Sequence, residues 1–354
     1  MMKKQRLQRL GSTAAIGAGA GIAAAVLCSL ASRGTPLAAI LANLCPLPLM
    51  IAMLGYGTLA GAVAVVSSTI TVSVLFYAQE KFGNVDPAAL TGLTFAFFVA
   101  LPAFWLSLLS VLSRVKGSTN WVVTSRVGSF FAREYCPLER VLSYATSVCA
   151  TIGVAIALYV SSLYGGFDVA LKQLTADITP IIQDLIGAKM QLPAGVTVQS
   201  LARATILAGA PMVAGGFLIM FMLNLWLAGR VTQLSGQLAR PWPDIAWELR
   251  LPRAYLLVFG ISSAVGPYAG GLPGLIVVIV AVTLGVAYAL IGLATAHYLP
   301  RGSSFRIPLL IAIYLGLAIP VTWLIFLLAL VVVGILDSAF SLRDRKKTPG
   351  LPKP

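Results

Sequence analysis

Few polar side chains fall inside the apolar stretches of this sequence, and the chemistry open to them is hydrogen bonding. Two asparagines, a tyrosine and the single histidine are the best placed: Asn43, Tyr56, Asn224 and His297. Amide and phenol groups bind polar ligands without carrying a charge, because they both donate and accept hydrogen bonds. With the backbone-breaking residues beside them, the candidate ligand-binding set is Asn43, Pro46, Pro48, Tyr56, Gly57, Asn224 and His297.

Three of these polar side chains also have a plainer interpretation. Asn43 and Asn224 are of the type that forms hydrogen bonds between membrane helices. His297 is followed by Arg301 and fits an interfacial residue, although histidine is also the residue type that serves as a pH switch. The sequence leaves these alternatives open.

The stretch Leu44–Val65 carries several of these candidates and is the most irregular of the apolar stretches. Pro46 and Pro48 remove backbone donors, and Gly55 and Gly57 flank Tyr56. Inside lipid, a broken helix persists only where protein or a cavity covers the freed backbone groups. The stretch therefore predicts either an irregular functional core or a tight hairpin between packed helices.

The composition is that of an integral membrane protein. The 354 residues are 58% hydrophobic and 10% charged, whereas soluble domains are about 25% charged. A net charge of +14 fits basic cytoplasmic loops better than nucleic-acid binding. We therefore expect the lipid bilayer as the main partner and no nucleic acid, with membrane or cytoplasmic protein partners left open.

Charged side chains lie almost entirely in loops or at the ends of apolar stretches, as Arg203 and Asp337 do. Ionisable groups within a membrane are costly and mark ion or proton pathways. Their absence from the middle of the apolar stretches argues against a proton relay or a carboxylate ion site. Transport of a neutral or amphipathic solute stays open.

Motifs that would indicate catalysis or energy coupling are missing. The sequence has no GxxxxGK[ST] phosphate loop, no GxSxG elbow and no HExxH pair. Its four cysteines form no CxxC pair, and one histidine cannot build a metal site. We expect no enzymatic activity, no cofactor and no metal.

The apolar stretches predict an all-α, polytopic transmembrane bundle of about 8–10 spans with amphipathic interfacial helices. We predict a basic cytoplasmic N-terminus over 1–10, a single transmembrane domain over 11–337 and a basic disordered tail over 338–354. Residues 113–140 fit an amphipathic helix or an irregular loop with an aromatic anchor, and 166–202 fit an amphipathic helix outside the cytoplasm. Breaks are expected at Gly57, at 266–274 and at Pro320, and the side of the C-terminus depends on the last of these.

Several motifs in order resemble a known family: Pro46-Leu-Pro-Leu-Met-Ile-Ala-Met-Leu-Gly-Tyr-Gly57, Tyr135-Cys-Pro-Leu-Glu-Arg-Val-Leu142, Leu223-Asn-Leu-Trp-Leu-Ala-Gly-Arg230 and 288–299, with a closing Gly-Ile-Leu-Asp337. Together they resemble the YybS-like family of bacterial multi-span membrane proteins (domain of unknown function 2232), which has no settled activity. The proline pair is also similar to that of the substrate-binding subunits of energy-coupling-factor transporters. That resemblance implies solute binding without an ATPase of its own.

We therefore expect a multi-pass protein of the bacterial inner membrane, with its N-terminus in the cytoplasm. Its expected role is solute binding or transport without an ATPase. The alternative is a non-catalytic membrane scaffold for cell-envelope or division machinery.

Overall fold

A computed structural model of the chain confirms the predicted all-α polytopic class. It describes residues 2–79, 86–115, 121–123, 133–187, 193, 195–238 and 240–346. Eight helices in these ranges are long and apolar enough to cross a membrane, and two shorter apolar helices accompany them. The chain folds as two compact units, Met1–Ala145 with Met220–Asp244 and Thr146–Ile219 with Ile245–Pro354. The sequence predicts one domain over 11–337 and does not anticipate this division.

The elements follow one another in this order. The helices are α1 (Met2–Ser29), α2 (Pro36–Ala42), α3 (Pro46–Tyr56), α4 (Thr58–Gln79), α5 (Asp86–Phe95), α6 (Leu101–Val111), α7 (Leu138–Leu163), α8 (Phe167–Ile186), α9 (Val198–Leu234), α10 (Ile245–Glu248), α11 (Ala254–Val265), α12 (Gly271–Tyr298), α13 (Arg306–Ala318), α14 (Trp323–Phe340) and α15 (Leu342–Arg345). The strands are β1 (Leu112–Val115), β2 (Val122–Val123) and β3 (Arg133–Tyr135).

In the first unit, α1 packs closely against α4 because two glycines on one face of α1 admit the neighbouring backbone. A Cβ at Gly17 would collide with the Ala60 carbonyl, and one at Gly21 would collide with the Ser67 hydroxyl. Close approach of this kind is the usual function of small residues spaced four apart in membrane helices. The first ten residues are not separate from this helix, since α1 is helical from Met2.

A π-helical turn, Ala96–Ala100, lies between α5 and α6, just before Pro102. Proline has no N–H, so the carbonyl four residues earlier loses its α-helical partner. The turn just before Pro102 widens, and the two helices together still form one membrane-length element, Leu90–Val111.

The segment after α6 forms strands where the sequence favoured a helix or an irregular loop. β1 pairs antiparallel with both β2 and β3, and a salt bridge of 2.9 Å joins Arg114 to Glu134 across the second pair. Trp121 lies beneath two guanidinium groups, 5.0 Å from that of Arg114 and 5.5 Å from that of Arg140. The prediction of an amphipathic helix is thus wrong for the described ends of the segment; 116–120 and 124–132 lie outside the described residues.

In the second unit, α8 forms a helix within 166–202, as predicted, and its place outside the cytoplasm stays a prediction. Leu171 and Thr175 are buried, whereas Ile181 and Leu185 are exposed. α12 and α14 cross where Gly292 meets the Leu330 carbonyl and Gly334 meets the Tyr288 carbonyl. The expected breaks are present, since α11 ends at Val265 before α12, and α13 and α14 are separate helices on either side of Pro320.

The expectation of a disordered tail over 338–354 is wrong for its described part, 338–346. α14 continues to Phe340, α15 follows, and the side chain of Arg343 is fully buried. Lys346 Nζ donates to the carbonyls of Leu299 and Arg301, just beyond the C-terminal end of α12. The C-terminal segment therefore lies at the same end of this unit as the end of α12, because a buried side chain holds it there.

Candidate functional site

The candidate site is the break between α2 and α3, which together form one membrane-length element, Pro36–Tyr56. α2 begins where Thr35 Oγ1 accepts a hydrogen bond from the Ala38 N–H at 3.2 Å, and Pro36 occupies the first helical turn. Three residues, Asn43 to Cys45, separate the two helices. The break is thus flanked by seven helical residues on one side and eleven on the other.

The two prolines cause the break by removing backbone donors. The Ala42 carbonyl accepts from Cys45 N–H at 3.1 Å, one residue earlier than in an α-helix, because Pro46 has no N–H. Leu47 N–H donates to the Leu44 carbonyl at 3.0 Å. The carbonyl of Asn43, which Leu47 would serve in a continuous helix, therefore needs another donor.

Asn224 supplies that donor. Its Nδ2 donates to the Asn43 carbonyl at 2.8 Å and to the Met220 carbonyl on its own helix, α9, at 2.7 Å. Both partners are acceptors, so the NH₂ group must point at them and the orientation of the amide is determined. This contact is of the kind that the plainer interpretation of Asn224 describes, a hydrogen bond between helices.

The oxygen of the same amide, Oδ1, has no hydrogen-bond donor. The Asn224 side chain has no exposed surface, and its Oδ1 is one of four buried side-chain atoms without a hydrogen-bond partner in the described part of the chain. A buried acceptor without a donor costs about 1–3 kcal/mol. The Asn43 carbonyl at the break therefore has a donor, whereas Asn224 Oδ1 can still accept a hydrogen bond from a further donor.

The packing of α3 itself is apolar. Leu49, Met50 and Met53 are almost fully buried. Gly61 of α4 lies so near Met53 and Phe104 that a Cβ there would be 3.0 Å from both side chains. The polar contact described at the break is the one between the Asn224 amide and the Asn43 backbone carbonyl.

The candidate residues are not all brought together. Asn43, Pro46 and Pro48 lie at the break, and the Asn224 side chain reaches the backbone carbonyl of Asn43 there. The Asn43 side chain is exposed and donates from Nδ2 to the Ala39 carbonyl on its own helix at 2.9 Å. Tyr56 lies at the opposite end of α3, about 15 Å away at 1.5 Å per residue, and its side chain is 43% exposed.

Gly57 and His297 have different surroundings from the break. Gly57 has a φ of +91°, which an L-residue rarely adopts, and it forms the tight turn into α4. His297 belongs to the second unit, where Nδ1 lies 2.9 Å from the Leu293 carbonyl and Nε2 lies 3.2 Å from Tyr314 Oη. Ligand binding by these residues stays a prediction.

Sequence reasoning missed a second polar centre, a buried ion pair at the end of α14. Arg343 donates from Nε and Nη2 to Asp337 Oδ2 at 2.9 and 2.7 Å, and the Arg343 backbone N–H donates to Asp337 Oδ1 at 3.1 Å. The exposed fractions of the two side chains are 0% and 3%. Between them Ser341 turns the chain with a φ of +52°.

The same guanidinium also holds a distant loop. Nη1 donates to the carbonyls of Ala246 and Trp247 at 2.8 and 3.1 Å, and Nη2 donates to that of Leu249 at 2.8 Å. The only sequence signal was an acid in the last turn of an apolar stretch with an arginine six residues later. That signal does not reveal which loop the arginine reaches.

Within the ranges that the structure describes, no group of three or more His, Cys, Asp or Glu side chains is arranged to hold a metal ion. No family model, curated protein or solved structure matches this chain. The chemistry of the site therefore has to be argued from its own geometry.

Proposed function

We propose that this multi-pass membrane protein binds a small solute in the bacterial inner membrane, with its N-terminus in the cytoplasm, as a non-enzymatic component of a transport system without its own ATPase. The observation that carries the proposal is the Asn224 amide at the break between α2 and α3. The NH₂ group of this amide donates to the Asn43 carbonyl, and its Oδ1 is a buried acceptor without a donor.

The position of the break supports this role. At 1.5 Å per residue, α2 and α3 extend about 10 Å and about 16 Å from it, which places it within a hydrocarbon core about 30 Å thick. Discontinuous helices near the middle of the bilayer are the usual place where transporters bind their solutes. Irregular backbone at this depth is tolerated where it is buried or lines a cavity.

The chemistry of the acceptor selects the class of solute. A buried, uncharged amide oxygen favours a neutral group that donates a hydrogen bond, such as a hydroxyl or an amide N–H. A charged solute would have to be desolvated without a counter-ion from Asn224, at a much higher cost. We therefore expect an uncharged solute, in agreement with the resemblance to solute-binding subunits, which itself stays a prediction.

The test is a thermal-shift screen of the purified full-length protein against neutral, polar metabolites. We expect at least one compound to raise the melting temperature of the wild-type protein and to lose at least tenfold in affinity with Asn224→Leu. Tyr288→Phe is the matched control, since Tyr288 Oη is also buried without a partner but lies in the other unit. A screen without any stabilising compound, or an equal loss in both variants, would contradict the proposal.

The scaffold hypothesis depends on the basic loops and the basic tail, which would be the surfaces that bind partners. In the structure, hydrogen bonds within the chain already engage Arg343, Lys346 and Arg250. These bonds leave fewer donors of the three side chains for a protein partner. Specific crosslinking of a protein partner to Arg253 or Arg345, both exposed, would favour that role.

A further inference from the structure

One end of the second unit brings together basic and aromatic side chains from three segments, 245–253, 298–306 and 337–346. Arg250 bonds Asp344 at 2.6 and 2.8 Å and lies 4.8 Å above the ring of Trp247. The Trp247 ring is 5.0 Å from that of Tyr298, which Arg301 covers at 4.9 Å. We refer to these three segments as the basic end.

The basic end keeps a large positive charge in spite of its internal ion pairs. Seven basic residues against three acidic ones leave a net charge of +4 over the three segments. Arg253 and Arg345 are exposed and carry two of these charges at the surface. The charge is thus suited to an anionic partner.

Three separate chain passages place this charge at the edge of an apolar surface. Arg253 is followed by Leu257, which is 71% exposed; Arg306 is followed by Ile307, which is 69% exposed; and Phe340, 54% exposed, precedes Arg345. Cations thus lie close in sequence to exposed apolar side chains at the N-terminal ends of α11 and α13 and beyond the C-terminal end of α14. Tryptophan and tyrosine among cations at such a boundary are typical of the headgroup level of a bilayer.

We propose that the basic end binds the headgroups of anionic phospholipids. The positive charge alone would also suit an acidic protein, but an acidic protein does not account for the aromatic pair or for the exposed apolar rim just beyond the cations. Arginine suits the phosphate oxygens, because its guanidinium presents paired donors to them. The occupied leaflet is the one that meets 245–253 and the C-terminal segment.

The test uses the full-length protein in nanodiscs of phosphatidylcholine with increasing phosphatidylglycerol, and counts bound lipids by native mass spectrometry. The variant is Arg253→Gln/Arg345→Gln. The matched control is Lys172→Gln/Arg203→Gln, which removes two exposed cations from α8 and α9 of the same unit. Near an anionic surface each cation contributes about fivefold to affinity, so we expect the variant to bind phosphatidylglycerol about 25-fold more weakly and the control to match the wild type.

Melting temperatures in pure phosphatidylcholine show whether each variant folds. If the variant is less stable there, Arg345→Lys, which keeps the charge but not the paired donors, is expected to bind phosphatidylglycerol more tightly than the variant does. Equal losses in variant and control would overturn the proposal. So would stabilisation by inorganic phosphate or by polyglutamate, at matched ionic strength, without any preference for phosphatidylglycerol.

Discussion

Asn224 in the first unit and Arg343 in the second solve the same problem with different chemistry. Each is a fully buried side chain that donates to backbone carbonyls of a segment distant in sequence. Asn224 serves the carbonyl of Asn43 with a neutral amide. Arg343 serves three carbonyls, those of Ala246, Trp247 and Leu249, with a charged guanidinium that needs the carboxylate of Asp337.

The difference follows the depth of the two sites. The break that Asn224 closes lies near the middle of a membrane-length element, where a charge would be most costly. Asp337 lies in the last turn of α14 and Arg343 beyond it, at the end of a membrane-length helix, where we expect a charge to be less costly to bury. The comparison indicates that this chain uses charge to fix loops at the membrane edge and neutral groups to repair backbone inside it.

The largest effect is expected from breaking the ion pair. Asp337→Ala leaves the Arg343 charge buried without its carboxylate, and we expect a loss of about 3–5 kcal/mol in the free energy of unfolding. The measurement is equilibrium unfolding of the detergent-solubilised protein with SDS, followed by tryptophan fluorescence. Asp344→Asn, in the same segment but exposed, is the control, and a loss no larger than that of the control would refute a structural role for the pair.

A smaller effect is expected at the neutral site. Asn224→Leu removes the donor of the Asn43 carbonyl, so the same measurement should show a loss of about 1–3 kcal/mol. Tyr288→Phe removes a buried hydroxyl without a partner and should change stability little or increase it. If Asn224→Leu is as stable as the wild type, the break does not depend on this amide.

The smallest effect concerns the surface pair of Arg250 and Asp344. The hydrogen bond from Arg250 holds the pKa of Asp344 below its usual value. The ionised carboxylate thus stabilises the fold above that usual value, about 3.9, and the contribution is lost as the pH falls through the lowered pKa.

At neutral pH, Asp344→Asn should therefore cost about 0.2–1 kcal/mol, as exposed pairs do. The difference from the wild type should shrink as the pH falls below about 4. Melting temperatures of both proteins between neutral and acidic pH provide the measurement. A difference that stays constant, or grows, on acidification would show that the ion pair is not its source.

Local signals in the sequence predicted much of the fold. Gly57, which takes a positive φ, marks the turn between α3 and α4, and Pro320 separates α13 from α14. Gly17 and Gly21, four residues apart, lie on the face on which α1 approaches α4. These features are predictable because they depend on the backbone freedom or hydrogen bonding of the residues themselves.

The mistakes have a common cause. Residues 338–346 have the composition of a solvated tail, yet burial of Arg343 orders them. The strands after α6 pair Leu112 with Val123 and Ser113 with Tyr135, and nothing local in the sequence indicates such pairing. In both cases a distant partner overrides the preference of the segment.

The sequence by itself determined that this is a multi-span membrane protein whose helices break at particular prolines and glycines, since apolar length and backbone chemistry are local properties. The tertiary structure alone decided which side chains donate to the backbone carbonyls at such a break and in the loop 246–249. Asn224 meets Asn43 across 181 positions, and Arg343 meets Ala246 across 97. Such pairings arise from the packing of whole helices, which brings together groups that no spacing in the sequence connects.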